Sequence, residues 1–457
     1  VETNTYDDQH HLLSEVDFDG KKTVYTYDAV GNLKQVIKHD GAKTSFKTTK
    51  QGLITSTTDA LGQVTTYSYT GAFLTKITSP LKGVTSMRYN AHGLPVTITN
   101  PLGGVTTITY DQEGRKTSEI DPDGRKTSYV FDGAGQVTSS MDGNGFTSKF
   151  TYDAVGNTTA MENGAGGVYR YTYDGVGNKL AMVDPEGHET RYAYDQRSRL
   201  TRETDTEKNQ TSHLRDALGR VLKMTNAAGN ATSYTYAEGI NQIASETDAL
   251  GQVTTNTYDR SGNITRIVKP DGSTISNVYD DANRLIKTTD GLGVVSSYTY
   301  DLNGNKLSET IDKQTTTYAY NGLGKVTAIT YPNKEKVAYT YDLAGDVLSF
   351  TDARGKQTSY AYSKSGALKT ITDAKGQQTK VTYDDNGNQS GLLDAAGFGA
   401  KTRYNAHNLP ETVVDALGNQ TTYAYSQLEQ VTSTIDALGN QKSYTYNALG
   451  YPVAVKD

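Results

Sequence analysis

The sequence contains no cysteine, so disulfide bridges and thiolate metal centres are both excluded. No apolar run approaches the roughly 18 residues that a transmembrane helix needs. Hydrophobic side chains make up only 35% of the 457 residues, and mean hydropathy is −0.62. An ordinary chain of this length divides into about two to four domains, because single cores stop growing near roughly 250 to 300 residues. Here there is too little apolar material for thick cores. No block of Lys or Arg stands out, and a net charge of −6 with a pI near 5.7 gives no reason to expect nucleic acid. The seven histidines are scattered; only His10 and His11 adjoin, which reads as surface histidine. The chain opens Val1-Glu2-Thr3-Asn4, neither a Met start nor a signal peptide, and both ends read as cut edges of a longer polypeptide.

What is present in quantity is 34 Tyr, with abundant Thr and Val. These are strand formers, so the chain does not read as disordered. The combination suits a one-layer sheet with two partly wet faces.

Self-similarity organises the whole sequence. Tyr27-Asp28, Tyr110-Asp111, Tyr152-Asp153, Tyr173-Asp174, Tyr194-Asp195, Tyr258-Asp259, Tyr279-Asp280, Tyr300-Asp301, Tyr341-Asp342 and Tyr383-Asp384 fall in register. Weakened copies at Tyr69, Tyr89, Phe131, Arg215, Tyr236, Tyr320, Tyr362, Tyr404, Tyr425 and Tyr446 fill the gaps. Tyr6 starts the series, and the Lys47–Lys50 stretch is a degenerate copy. Residues 1–457 therefore read as one continuous array of about 22 repeats of 20–22 residues, with no separate catalytic or toxin domain. Each repeat has two strand-like pieces. Thr147 to Tyr152 alternates, with Phe150 and Tyr152 on one face, and a second short strand runs from Thr158 to Met161. A strand about every ten residues between Gly-bearing turns is an all-β signature.

The turns explain the motif. Asp-x-x-Gly occurs within the repeat (Asp28-Ala29-Val30-Gly31) and between repeats (Asp59-Ala60-Leu61-Gly62, Asp248-Ala249-Leu250-Gly251, Asp415-Ala416-Leu417-Gly418). The Asp accepts backbone N–H groups further round the turn, and the Gly takes φ > 0 to close a type I turn with a G1 bulge. Where Asn283 and Asn408 replace that Gly, the next most tolerant residue for left-handed geometry stands in. Pro80, Pro101, Pro122, Pro185, Pro270 and Pro332 lie in between-repeat turns, while Pro95, Pro410 and Pro452 open strands. None needs a mid-strand amide.

The stretches Tyr25-Thr26-Tyr27-Asp28-Ala29-Val30-Gly31-Asn32-Leu33, Tyr171-Thr172-Tyr173-Asp174-Gly175-Val176-Gly177-Asn178 and Tyr298-Thr299-Tyr300-Asp301-Leu302-Asn303-Gly304-Asn305 resemble the YD repeat of the Rhs family. That family includes bacterial Rhs polymorphic toxins, the B and C components of Tc toxins, wall-associated repeat proteins and teneurins. The resemblance covers essentially the whole chain. It implies a long twisted antiparallel sheet of tandem β-hairpins that spirals into a hollow shell, a cocoon around a C-terminal toxic polypeptide. A ribbon of this many strands would be about 200 Å long at roughly 4.8 Å per strand, and it cannot stay flat. Spiral closure would hide edges that otherwise aggregate. Members that release their cargo carry an Asp-Pro-x-Gly-Leu-x-Gly-Gly type segment after the repeats, with aspartate-dependent self-cleavage. Here Asp121-Pro122-Asp123-Gly124 and Asp184-Pro185-Glu186-Gly187 read as repeat turns, and the chain stops inside a repeat at Asp457.

Other chemistries fit less well. A hydrolase needs a particular carboxylate pair, whereas these Asp recur at equal positions in many repeats. Asp17-Phe18-Asp19-Gly20 and Asp384-Asp385-Asn386-Gly387-Asn388 offer oxygens for calcium but lack the spacing and closing Glu of an EF-hand. Tyr pairs such as Tyr67/Tyr69, Tyr192/Tyr194, Tyr339/Tyr341 and Tyr444/Tyr446 could stack on sugars, but cross-strand packing is the favoured account. Asn157, Asn209, Asn230, Asn263, Asn388 and Asn419 head Asn-x-Ser/Thr triplets expected by chance, and Gly133-Ala134-Gly135 is a turn rather than a phosphate loop. The expected function is structural encapsulation: part of the shell of an Rhs-type bacterial toxin that shields a C-terminal effector until delivery. The alternative is a cell-surface or extracellular adhesion module binding glycan or protein. The implied partners are the toxin cargo, missing shell or plug segments of the same polypeptide, and a secretion apparatus. The expected location is secreted or delivered to a target cell. No catalytic, cofactor-binding or metal-ligating residue, no nucleic acid and no membrane span are expected.

Overall fold

The computed structural model describes residues 3–17 and 20–457. These form 44 strands and no helix, and all the strands belong to one sheet. The protein is all-β. Phe18 and Asp19, part of the first calcium candidate, lie outside the described residues. The chain divides into two units. One comprises residues 1–104 and 234–359, the other 105–233 and 360–457.

Within each unit, strands consecutive in sequence pair antiparallel, and two kinds of hairpin alternate. In the first, Thr147–Tyr152 pairs with Thr158–Glu162, placing Phe150 opposite Met161, and the register slips between Thr151 and Tyr152. In the second, Thr158–Glu162 pairs with Val168–Tyr173, placing Met161 opposite Tyr169 without a slip. The slip is a bulge, and it recurs at the corresponding Tyr of repeat after repeat, as at Tyr27, Tyr173 and Tyr341. A bulge strengthens local right-handed twist. A bulge once per repeat is therefore a regular source of twist and bend in the ribbon.

The alternation sorts side chains by face. Phe150, Met161, Tyr169, Tyr171 and Met182 follow one another across successive strands of one face. On the other face, Lys149, Ala160, Arg170 and Ala181 follow in the same way. The apolar face is a thin stripe and not a core. Among the described residues no side chain is fully buried, and the buried hydrophobic residues are Ala42, Ile108, Ala181, Val337 and Val381. This is the consequence of the low apolar content: hydrophobic gain comes from half-burial spread over many hairpins, at about 25 cal/mol per Å².

Candidate functional site

The repeat turn follows one scheme along most of the chain. Asp153 Oδ1 accepts the backbone N–H of Val155 at 3.0 Å and of Asn157 at 2.9 Å, while Oδ2 accepts the Asn157 side-chain amide at 2.9 Å. Gly156 N–H returns to the Asp153 carbonyl at 3.2 Å, and Asp153 N–H donates to the Asn157 carbonyl at 3.0 Å. Gly156 has φ of 99°, the left-handed residue that closes a type I turn with a G1 bulge. Asn283 at 61° and Asn408 at 59° occupy the same place, as their chemistry predicts. The between-repeat turns follow the same scheme: Asp59 Oδ1 accepts Leu61 N–H at 3.0 Å and Gln63 N–H at 2.8 Å. In several repeats Arg replaces the Asn, as in Arg199 Nε to Asp195 at 2.7 Å. The side-chain amide of Asn157 and the backbone N–H groups hold the Asp153 carboxyl below the usual carboxylate range. Asp174, Asp415 and Asp436 are lowered in the same way.

The candidate residues of the sequence fall into this scheme. In the Asp384–Asn388 stretch, Asp384 Oδ1 accepts Asn386 and Asn388 N–H at 3.0 and 2.8 Å, and Oδ2 accepts the Asn388 and Asn144 side-chain amides, both at 3.0 Å. Its lone pairs are committed to N–H donors. Among the described residues, no group of three or more His, Asp or Glu could hold a metal ion. His10 occupies the left-handed turn position with φ of 65°. His11 takes the place of the turn Asn: its Nδ1 lies 2.9 Å from Asp7 Oδ2, and its ring stacks on Tyr27. Five of the Asn-x-Ser/Thr asparagines, Asn157, Asn209, Asn263, Asn388 and Asn419, donate their side-chain amide to the turn Asp. Gly133 sits in the Asp132 turn, where Ala134 N–H meets Asp132 Oδ1 at 2.9 Å.

A second device went unrecognised in the sequence. In most Tyr-Asp steps the tyrosine donates its hydroxyl to the backbone carbonyl fifteen residues earlier, at the start of the preceding repeat's second strand. Tyr152 reaches Val137 O at 2.7 Å, Tyr173 reaches Thr158 O at 3.0 Å, and Tyr341 reaches Val326 O at 2.6 Å. The weakened copies keep the bond: Tyr404 reaches Gln389 O at 2.8 Å and Tyr446 reaches Val431 O at 2.9 Å. Where Arg215 replaces the Tyr, its Nε reaches Leu200 O at 3.4 Å. Each hydroxyl thus ties one repeat to the next at the bulge. The signal available in the sequence was the preference for Tyr, 34 against 8 Phe. Packing alone does not demand an oxygen.

A third device joins residues far apart in sequence. Inside the second unit, the between-repeat turn at Asp142 docks on the repeat turn at Asp384. Asn386 donates to Asp142 Oδ2 at 2.7 Å, Asn144 donates to Asp384 Oδ2 at 3.0 Å, and Asn144 N–H donates to Asn386 Oδ1 at 3.0 Å, an offset of 242 residues. Likewise Asp123 accepts the hydroxyls of Ser363, at 2.6 Å, and Ser365. Burial pushes the Asp123 carboxyl up, but these hydroxyls and Arg125 outweigh it and leave it lowered. The Asp121-Pro122-Asp123-Gly124 turn is therefore also a seam contact. The first unit repeats the pattern: Asn303 donates to Asp59 at 2.7 Å, and His39 Nε2 lies 3.3 Å from Asp281. Backbones approach closely here. A Cβ on Gly143 would collide with the Asp385 carbonyl, and one on Gly83 with the Leu343 carbonyl.

Tandem hairpins, bulged once per repeat, clamped to their neighbours by Tyr and laid edge to edge in rows, define a repetitive β-wall scaffold. The chain belongs to the RHS Repeat family, whose pattern matches residues 6–43, 89–126, 110–149, 131–168, 152–189, 173–210, 239–274, 362–398 and 404–441, together more than half of it. Residues 273–365 match the Teneurin YD-shell. Among solved structures, TcdB2-TccC3 without the hypervariable C-terminal region is similar over 97% of this chain and 30% of that one, with a TM-score of 0.73 and 16% identity. TcdB2-TccC3-Cdc42 is similar over 97% of this chain and 29% of that one, with a TM-score of 0.70 and 15% identity. The Tc holotoxin pore of Photorhabdus luminescens gives a TM-score of 0.70 at 15% identity, over 97% of this chain and 30% of that one. The likeness is one of fold, and the chain spans under a third of those chains. No curated protein matches the sequence.

Proposed function

We propose that the chain is a wall segment of a hollow shell that encloses and shields a C-terminal toxic effector of the same polypeptide until delivery. The observation that carries this reading is the edge-to-edge docking at an offset of 242 residues. A flat ribbon has no reason to bring its two edges together, whereas a ribbon wound round a space does so once per turn. The likeness in fold to TcdB2-TccC3 supports the same reading. The work of such a wall is steric. It needs no nucleophile, acid–base pair or cofactor, and the turn aspartates already have structural duties. The partners are the cargo and the plug segments that close the shell, and delivery places the assembly outside the producing bacterium.

The test is a density map of the purified chain by electron microscopy. A curved wall around a cavity is expected; a solid rod or a string of separate globules would sink the proposal. Containment is tested on the natural full-length polypeptide. The segment that follows the repeats should resist trypsin while the wall is folded and become sensitive once urea opens it. Equal sensitivity in both states would leave a wall without a cargo.

A further inference from the structure

We propose that the face of the ribbon opposite the tyrosines binds an acidic, extended polypeptide. Strand alternation sorts charge between the two faces. In the second unit, Lys149, Arg170 and Arg191 hold the same position in three successive repeats, and Arg202 and Lys223 continue the series on second strands. All five are exposed. Their cross-strand neighbours on one side are small, Ser139, Ala160, Ala181, Ser212 and Ser233, and on the other side are Glu162, Val183, Thr204, Ala193 and Leu214. In the first unit, Lys47, Arg88 and Lys287 occupy the same face and are exposed.

Carboxylates balance only two of the five, Lys149 and Arg191. Glu162, Glu189 and Glu411 stand beside these cations, and each is already held by one: Lys149 at 2.9 Å, Arg191 at 2.9 Å and Arg403 at 3.0 Å. Glu119, Glu203 and Glu309 lie on the other face, opposite Ile108, Tyr192 and Tyr298. The turn aspartates lie at the ribbon edges. The net charge of −6 therefore conceals a strip on which cations outnumber carboxylates. Because its members are a repeat apart in sequence, they form no Lys/Arg block.

The geometry points to the kind of partner. Equivalent positions in successive repeats are two strands apart, about 10 Å, which is close to a Debye length at ordinary salt, so their fields overlap. A polypeptide laid across the strands advances about 3.4 Å per residue and would meet a cation roughly every third residue. Ser and Thr between the cations supply hydroxyl donors. The positions next to these cations carry no aromatic ring on which bases could stack, which disfavours single-stranded nucleic acid. Each exposed ion pair is weak, so affinity depends on many of them acting along one strand.

The test uses a fluorescent polyglutamate peptide of about 20 residues, long enough when extended to span four repeats. It is added to the folded chain and, in parallel, is present while the chain refolds from urea. The comparison is the quadruple variant Arg170→Ser, Arg191→Ser, Arg202→Ser and Lys223→Ser. Ser212 and Ser233 already occupy the first-strand position, and Ser139 and Ser245 the second-strand position, in other repeats, so the fold accommodates the change; circular dichroism checks it. Salt-sensitive binding in at least one arm is expected, with about ten-fold or greater weakening in the variant. The variant Glu203→Gln, on the tyrosine face, should bind as the wild type does. No binding at low ionic strength in either arm, or equal binding by the quadruple variant, overturns the proposal. Tighter binding of an oligothymidylate or of phosphatidylserine vesicles overturns it in favour of nucleic acid or membrane.

Discussion

Tyr152 and its counterparts each cover apolar neighbours with the ring and satisfy a bulge carbonyl with the hydroxyl. Removing only the oxygen leaves a half-buried carbonyl short of a partner. Tyr152→Phe should cost about 1 kcal/mol in urea unfolding. Tyr173→Phe should cost a similar amount, and the double variant should depart from the sum, because the two sites share Thr158. Phe131 marks the one aromatic exception in the series; Arg115 lies 4.9 Å over its ring instead. Tyrosines on the same face, most of them two residues before that position, set the alkaline limit. Burial and the bond to Glu15 push Tyr25 up to about 12, and burial raises Tyr171, Tyr192 and Tyr341. A phenol raised in the fold contributes stability that is complete below its unfolded pKa of about 10 and is lost as pH rises through the folded value. Phenolate absorbance and β-sheet ellipticity should therefore change together above pH ~10. Ionisation of Tyr25 at its ordinary value with the sheet intact would contradict this. The excess of Tyr over Phe was visible in the sequence. Its meaning was not, because the partner carbonyl is fixed by a register slip that leaves no mark of its own in the residues.

At the scale of the element, the turn was the most legible part of the molecule. Asp supplies an acceptor and Gly a positive φ, and these two demands recur on most hairpins whatever the rest of the fold does. Departures from Gly carry strain. Lys82, Ser198, Lys208, Lys334 and Glu429 hold φ between 59° and 70° at this place. Lys334→Gly should raise stability by about 1 kcal/mol, and Gly187→Ala, at φ of 91° with nothing within 4 Å, should lower it by about as much. Equal midpoints in thermal unfolding for both variants would refute the assignment of strain. The alternation of faces was also legible, since Phe150 and Tyr152 share one side. The basic strip was not, because Lys149, Arg170 and Arg191 appear as isolated charges until strand register aligns them.

At the scale of the whole molecule, the seam is the feature that sequence could not disclose. Its offset depends on how sharply the ribbon bends, which is the sum of many small twists and belongs to no residue. Gly143 and Gly133 are both second residues of Asp-Gly turns, yet a Cβ on Gly133 meets open space while one on Gly143 strikes Asp385. Gly143→Ala should cost about 1–3 kcal/mol and raise hydrogen exchange in residues 142–146 and 384–388 together. Gly133→Ala should leave both segments unchanged. Loosening confined to residues 142–146 would mean that the docking adds nothing to stability.

The offset of 242 residues is about eleven and a half steps of 21, so the teeth of one edge mesh with those of the opposite edge, as in a zip fastener. Gaining or losing one whole hairpin pair re-engages every tooth one notch along, turn against turn. Gaining or losing half a pair sets the same edge against itself. Such a lineage can change the offset between its docked edges by duplicating or deleting complete repeats, and it meets resistance to any other length.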